Sequence, residues 1–135
     1  MIAYTDSLDG VTVDMLAGFF VGWPNPPSPE THLKILQQAD LIELAIDGES
    51  GRVVGFLSGI SDGVMSAYLP LLEVLPEYQG KGIGSELLRR MLARLKDLYM
   101  VDLTCDTKLQ PYYERFGLRR STGMMIRDFD RQSCE

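Results

Sequence analysis

The stretch Leu72-Glu73-Val74-Leu75-Pro76-Glu77-Tyr78-Gln79-Gly80-Lys81-Gly82-Ile83-Gly84-Ser85 combines an apolar run, a glycine-rich turn and the start of an apolar-periodic segment. Gly80, Gly82 and Gly84 let a backbone approach a ligand closely. A helix starting at Ile83 adds its unpaired first-turn amides and the positive end of its dipole. The occupant such a turn suits is a phosphate or pyrophosphate, with Ser85 as a hydroxyl donor and Lys81 as a solvent-side charge. The plain alternative is a connection with no ligand. The spacing is not that of the nucleotide P-loop, because Lys81 precedes the last glycines, and it departs from the dinucleotide fingerprint Gly-x-Gly-x-x-Gly.

The elements around this turn follow from periodicity. Ile2 to Tyr4 reads as a short strand, and Val13, Leu16, Ala17, Phe19 and Phe20 recur at near-helical spacing up to Pro24. Trp23 to Pro29 holds four prolines and is expected as a stiff, exposed loop. Ser28 then caps a helix that has Pro29 in its first turn and runs to about Ala39. Leu41 to Ile46, Val53 to Ile60 and Val64 to Val74 are β-rich runs separated by Asp47–Gly51 and Ser61–Gly63, which predicts an antiparallel meander. Leu87, Leu88, Met91, Leu92 and Leu95 define an amphipathic helix, and Tyr99 to Cys105 a strand joined to the meander by a parallel crossover. A short helix near Leu109 to Phe116 ends at Gly117, and Met124 to Phe129 is expected to supply a last strand.

Composition bounds the function. The 135 residues, 45% of them hydrophobic, fit a single domain over 1–135. A net charge of −6 opposes nucleic acid as a partner and is compatible with cationic small molecules. No apolar run approaches the roughly 20 residues of a membrane helix, and no signal-peptide pattern opens the chain, so the expected location is the cytoplasm, without membrane association. Cys105 and Cys134 stand far apart, and the single His32 reads as an exposed helical histidine, so neither a disulfide nor a metal site is expected.

Gln79-Gly80-Lys81-Gly82-Ile83-Gly84 resembles the Gln/Arg-x-x-Gly-x-Gly/Ala signature of the GNAT superfamily of N-acetyltransferases. Val74-Leu75-Pro76-Glu77-Tyr78 is similar to that family's lead-in, and Tyr112-Tyr113-Glu114-Arg115-Phe116-Gly117-Leu118 to its Tyr-Glu-x-x-Gly-Phe segment. The resemblance implies a mixed α/β fold of six to seven mostly antiparallel strands with about four helices. It implies acetyl-CoA as co-substrate, its pantetheine arm inserted where the strand ending at Val74 and the strand from Tyr99 splay apart.

On that resemblance, the backbone of Leu72 and Val74 binds the arm, and Gln79, Gly80, Lys81, Gly82, Ile83, Gly84 and Ser85 take the pyrophosphate. Tyr113 stands near the thioester sulfur, as a general acid or a positioning donor, while Tyr112 reads as core packing. Relatives carry a Glu or His farther back on the strand, where this chain has Tyr68 and Pro70. Glu73 is the one acid in the run Val64 to Leu75 and is the candidate base or water-relay partner. Trp23 and Tyr68 are candidate acceptor contacts. Asp106 replaces a common asparagine, Leu118 a common phenylalanine, and Asp102 reads as structural. The acceptor is a small-molecule amine or a protein amino group, and the chain acts as a monomer or a homodimer. Alternatives are a CoA-binding sensor without turnover and a transferase for a larger acyl group.

Overall fold

The computed structural model describes residues 1–135. A five-stranded sheet runs in the order β1 (Ile2–Thr5), β2 (Leu41–Asp47), β3 (Val53–Ser61), β4 (Ser66–Val74) and β5 (Met100–Asp102). The first four strands pair antiparallel and β5 joins β4 in parallel, as the meander and crossover require. The helices are α1 (Pro29–Gln38), α2 (Ile83–Arg94) and α3 (Gln110–Glu114). No helix is long and apolar enough to cross a membrane.

Each face of the sheet is covered by the chain that its side chains call for. Gly55 on β3 faces α2 so closely that an added Cβ would lie 3.1 Å from Leu87 and 3.2 Å from Ile83. Ile83, Leu87, Leu88 and Met91 are buried there, each contributing roughly 1.5–3 kcal/mol of apolar burial. Phe56, one residue on, points to the opposite face and meets Phe19, Phe20 and His32 edge-on. Asp62 builds the β3–β4 turn by accepting from the amides of Val64, Met65 and Ser66, which hold its carboxyl down to about 2. Ser28 caps α1 by accepting from the Thr31 N–H.

Four expectations need correction. The helix over Val13 to Phe20 is only one 3-10 turn, Val13–Leu16. Gly18, Phe20 and Gly22 all take positive φ, which no right-handed helix can continue through. His32 is fully buried rather than exposed, because α1 packs that face on Phe56. The strand over Tyr99 to Cys105 is confined to Met100–Asp102, since β4 turns away beyond it. Met124 to Phe129 forms no strand, because no sheet edge of its own chain lies alongside it. The sheet therefore has five strands and the chain three α-helices, instead of six to seven and about four.

Candidate active site

The cleft exists because β4 stops pairing partway. Its partners on β5 end at Tyr68 and Asp102. Between the Ser58–Leu71 and Ile60–Tyr68 pairs, β3 advances two residues and β4 three, so the extra residue is a bulge at Leu69-Pro70. Pro70 has no N–H to offer, which suits a bulge on an unpaired edge. Leu75 donates its N–H to Val54 of β3, so by alternation the peptide groups of Val74 and Leu72 face the open side. Consistently, the Val74 carbonyl accepts from the Gln79 side-chain amide at 2.9 Å.

Two connected cavities fill the opening. One, of about 440 Å³, is lined by Leu72, Glu73, Val74, Tyr78, Gln79, the Gly80, Gly82 and Gly84 turn, Ile83, Ser85 and the tyrosine pair Tyr112 and Tyr113. The other, of about 170 Å³, lies deeper among Leu57, Leu69, Pro70, Leu88, Leu103, Thr104 and Cys105. Leu72, Leu109 and Tyr113 belong to both walls, so the two make one cleft.

At its outer end the turn is built to receive an anion. Gly80 and Gly82 stand at φ 77° and 82° with nothing near where a Cβ would be, so backbone conformation alone requires glycine there. The amides from Gly80 through Ser85 donate to no backbone acceptor. They converge on the N-terminus of α2, where the helix dipole favours negative charge. Ser85 shares a hydrogen bond with the Tyr112 hydroxyl at 2.9 Å, and Lys81 lies over the Tyr78 ring. Tyr112, expected in the core, is thus a half-buried wall of the cleft.

At the inner end, burial, with Cys105 and Tyr112 alongside, pushes the Tyr113 hydroxyl up to about 12, so it stays a neutral donor at physiological pH. No protein group accepts that hydroxyl's hydrogen bond. Glu73 is the single carboxylate lining either cavity. Its Oε1 accepts the Phe20 N–H at 2.8 Å and its Oε2 the Val21 N–H at 3.3 Å. Glu73 thus fastens the loop before α1 to β4.

The structure brings Leu72, Glu73, Val74, Gln79, Gly80, Gly82, Ile83, Gly84, Ser85 and Tyr113 to one cleft, while Lys81 lines neither cavity. Tyr68 and Trp23 line neither cavity. Tyr68 sits where β4 and β5 part, its hydroxyl 3.0 Å from Thr104 Oγ1. Trp23 packs edge-on against Phe20 in the loop that Glu73 holds. Asp102 makes no ion pair, and Asp106 stands before the 3-10 turn that leads into α3, its backbone carbonyl accepting the Leu109 N–H. Sequence reasoning overlooked Leu103, Thr104, Cys105 and Leu109 as cleft residues. The apolar Tyr99 to Cys105 run carried no mark of where its pairing would stop.

This geometry is accompanied by a family match: residues 8–118 match the Acetyltransferase (GNAT) family. The chain belongs to the GNAT family. A crystal structure from Deinococcus radiodurans R1, assigned as an acetyltransferase, is similar at 49% identity and a TM-score of 0.94, over 98% of this chain and 92% of that one. A GNAT family protein of Streptococcus pneumoniae TIGR4 is 31% identical with a TM-score of 0.76, over 95% of this chain and 98% of the other. Among curated proteins, an uncharacterized N-acetyltransferase of Porphyra purpurea is 23% identical over 100 residues, 72% of this chain. That alignment spans 58% of the Porphyra protein's length. The GNAT fold accounts for the parted strands and the glycine turn together, and GNAT membership supports acyl transfer as the class of activity.

Proposed function

We propose that the chain transfers the acetyl group of acetyl-CoA to a primary amine, by direct attack in a ternary complex. The observation that carries this reading is the single cleft running from the unpaired amides of Gly80 to Ser85, along the open edge of β4, to Tyr113 and Glu73. A pyrophosphate fits the amides, and an amide-bearing arm fits the peptide groups of Leu72 and Val74 as a strand would.

In the proposed reaction the acceptor nitrogen, freed of its extra proton, attacks the thioester carbon. The tetrahedral intermediate collapses by breaking the C–S bond. The proton shed by nitrogen passes to water held on the free lone pairs of Glu73, whose other lone pairs take the Phe20 and Val21 amides. The sulfur leaves as a thiolate. Full proton transfer from a phenol near 12 to a thiolate of pKa about 8.5 is uphill by about 5 kcal/mol. Tyr113 therefore stabilises the departing sulfur by hydrogen bonding, and the thiolate takes its proton from solvent. The acceptor is a small-molecule amine or a protein amino group, admitted beside Tyr68 and the Trp23 loop.

The test is thiol release from acetyl-CoA across polyamines, aminoglycosides, amino acids and basic peptides, for the wild type and Tyr113→Phe. Turnover with one amine class, falling about ten- to a hundredfold in the variant with acetyl-CoA affinity kept, supports the proposal. Binding without turnover on any amine turns the reading into a CoA sensor, and absence of binding removes it. The apolar walls of the deeper cavity favour a second reading, a longer acyl chain. Propionyl-CoA outpacing acetyl-CoA in the same assay would select it.

A further inference from the structure

The segment after α3 breaks two rules that folded chains keep. Leu118 through Arg127 make no backbone–backbone hydrogen bond, and no helix, strand, turn or bend interrupts them. Within and beside them Met124 is 99% exposed, Met125 69%, Ile126 94% and Phe129 60%. Large apolar side chains in a straight, unpaired run have the composition of a strand without its partner. The segment is nevertheless tethered at both ends. Arg120 pairs with Glu114 of α3 at 2.8 Å, and the Asn25 N–H donates to Gln132 Oε1 at 2.9 Å.

A complementary vacancy lies elsewhere in the protomer. β5 is the last strand of the sheet, so its outer edge is unpaired from Met100 to Asp102. Leu103, Thr104 and Cys105 continue it with no backbone hydrogen bond of their own. The charges match as well. Arg119 and Arg127 of the segment make no ion pair. Along β5 and its flanks Asp97, Asp102 and Asp106 are likewise unpaired and outnumber Lys96 and Lys108.

We propose that the segment Gly123 to Asp128 of one copy adds as a strand to the β5 edge of a second copy, and reciprocally, forming a two-fold homodimer. The tethers keep each segment off its own β5 while leaving it open to a partner's. A reciprocal exchange uses two identical joints, as a closed dimer requires. Leu103, Thr104 and Cys105 line the deeper cavity, so the incoming strand backs the outer wall of the cleft. This joint is independent of which acyl donor or acceptor the cleft takes.

Sedimentation velocity on the full chain reads the outcome. The wild type sediments at twice the chain mass, and the Met124→Asp/Ile126→Asp double variant at the chain mass. Its cooperative thermal unfolding is kept, because neither side chain is buried within the protomer. Arg127→Asp and Asp102→Arg each weaken the dimer, and mixing the two restores it. Amide exchange at 124–127 is slow in the wild-type dimer and as fast as in an unstructured peptide in the double variant. A monomeric wild type, or a double variant that stays dimeric, overturns the exchange. Failure of the charge-swapped pair to restore the dimer removes β5 as the seat.

Discussion

The Glu73 carboxylate accepts the N–H of a residue whose backbone is strained: Phe20 stands at φ 63°, with its amide 2.8 Å from Glu73 Oε1. A left-handed non-glycine residue costs about 1–2 kcal/mol, and a hydrogen bond to a charged group contributes about 1.5–3 kcal/mol. The second is large enough to hold the first. Glu73→Gln keeps one acceptor oxygen but turns an NH2 towards the other amide, so the loop should loosen. We expect kcat/KM for the amine to fall about tenfold or more, while acetyl-CoA binding changes less than about twofold. If Glu73 also relays the proton, kcat for the bound amine falls in the same variant. An unchanged kcat/KM would remove both roles.

Gly82 tests the anion cradle without disturbing the core. A Cβ there meets no protein atom within 4 Å, so Gly82→Ala suffers only the cost of its φ of 82°, about 1 kcal/mol in stability. The methyl group stands where the ligand must approach, and we expect acetyl-CoA affinity to drop about tenfold by calorimetry. Affinity within a factor of two of the wild type would place the phosphates elsewhere.

His32 gives the protein an acid-sensitive core. Both ring nitrogens are buried without a partner among Phe19, Phe20 and Phe56, and burial lowers its pKa from 6.5 to about 4. The unfolded chain binds the proton more readily, so stability is full above pH 6.5 and declines as pH falls towards 4, by about 3 kcal/mol in all. His32→Leu should flatten that part of the curve of unfolding free energy against pH. A variant whose curve overlays the wild type between pH 6.5 and 4 refutes the assignment.

Gly55 fixes the spacing between β3 and α2. Gly55→Ala drives a methyl to 3.1 Å from Leu87, an overpacking worth about 1–3 kcal/mol in denaturant unfolding. Leu87→Ala in the same background opens space and should recover part of the loss, a non-additivity that independent sites would not show.

The cleft's outer end was legible because glycine spacing reports backbone conformation directly. Gly80 and Gly82 need positive φ wherever the chain goes next, and the apolar stripe from Leu87 to Leu95 needs a sheet to lie on. The inner end was less so. Where β4 parts from β5 depends on the bulge at Leu69-Pro70, and a proline within a strand run signals irregularity without saying which neighbour is lost. The Val13 to Phe20 spacing looked helical because Leu16, Phe19 and Phe20 are all buried, yet they reach the core through left-handed turns. His32 was misplaced for a similar reason, since its α1 face is decided by Phe56, a distant residue in sequence.

Beyond the bulge, β4 turns the peptide groups of Leu72 and Val74 to an edge that no strand of this chain covers. With Pro70 in the bulge, β5 cannot simply zip shut over it. On the proposed function, the protein without its acyl donor presents that open edge to solvent. On the same reading, a donor whose arm lies along that edge covers it as well as supplying the acyl group.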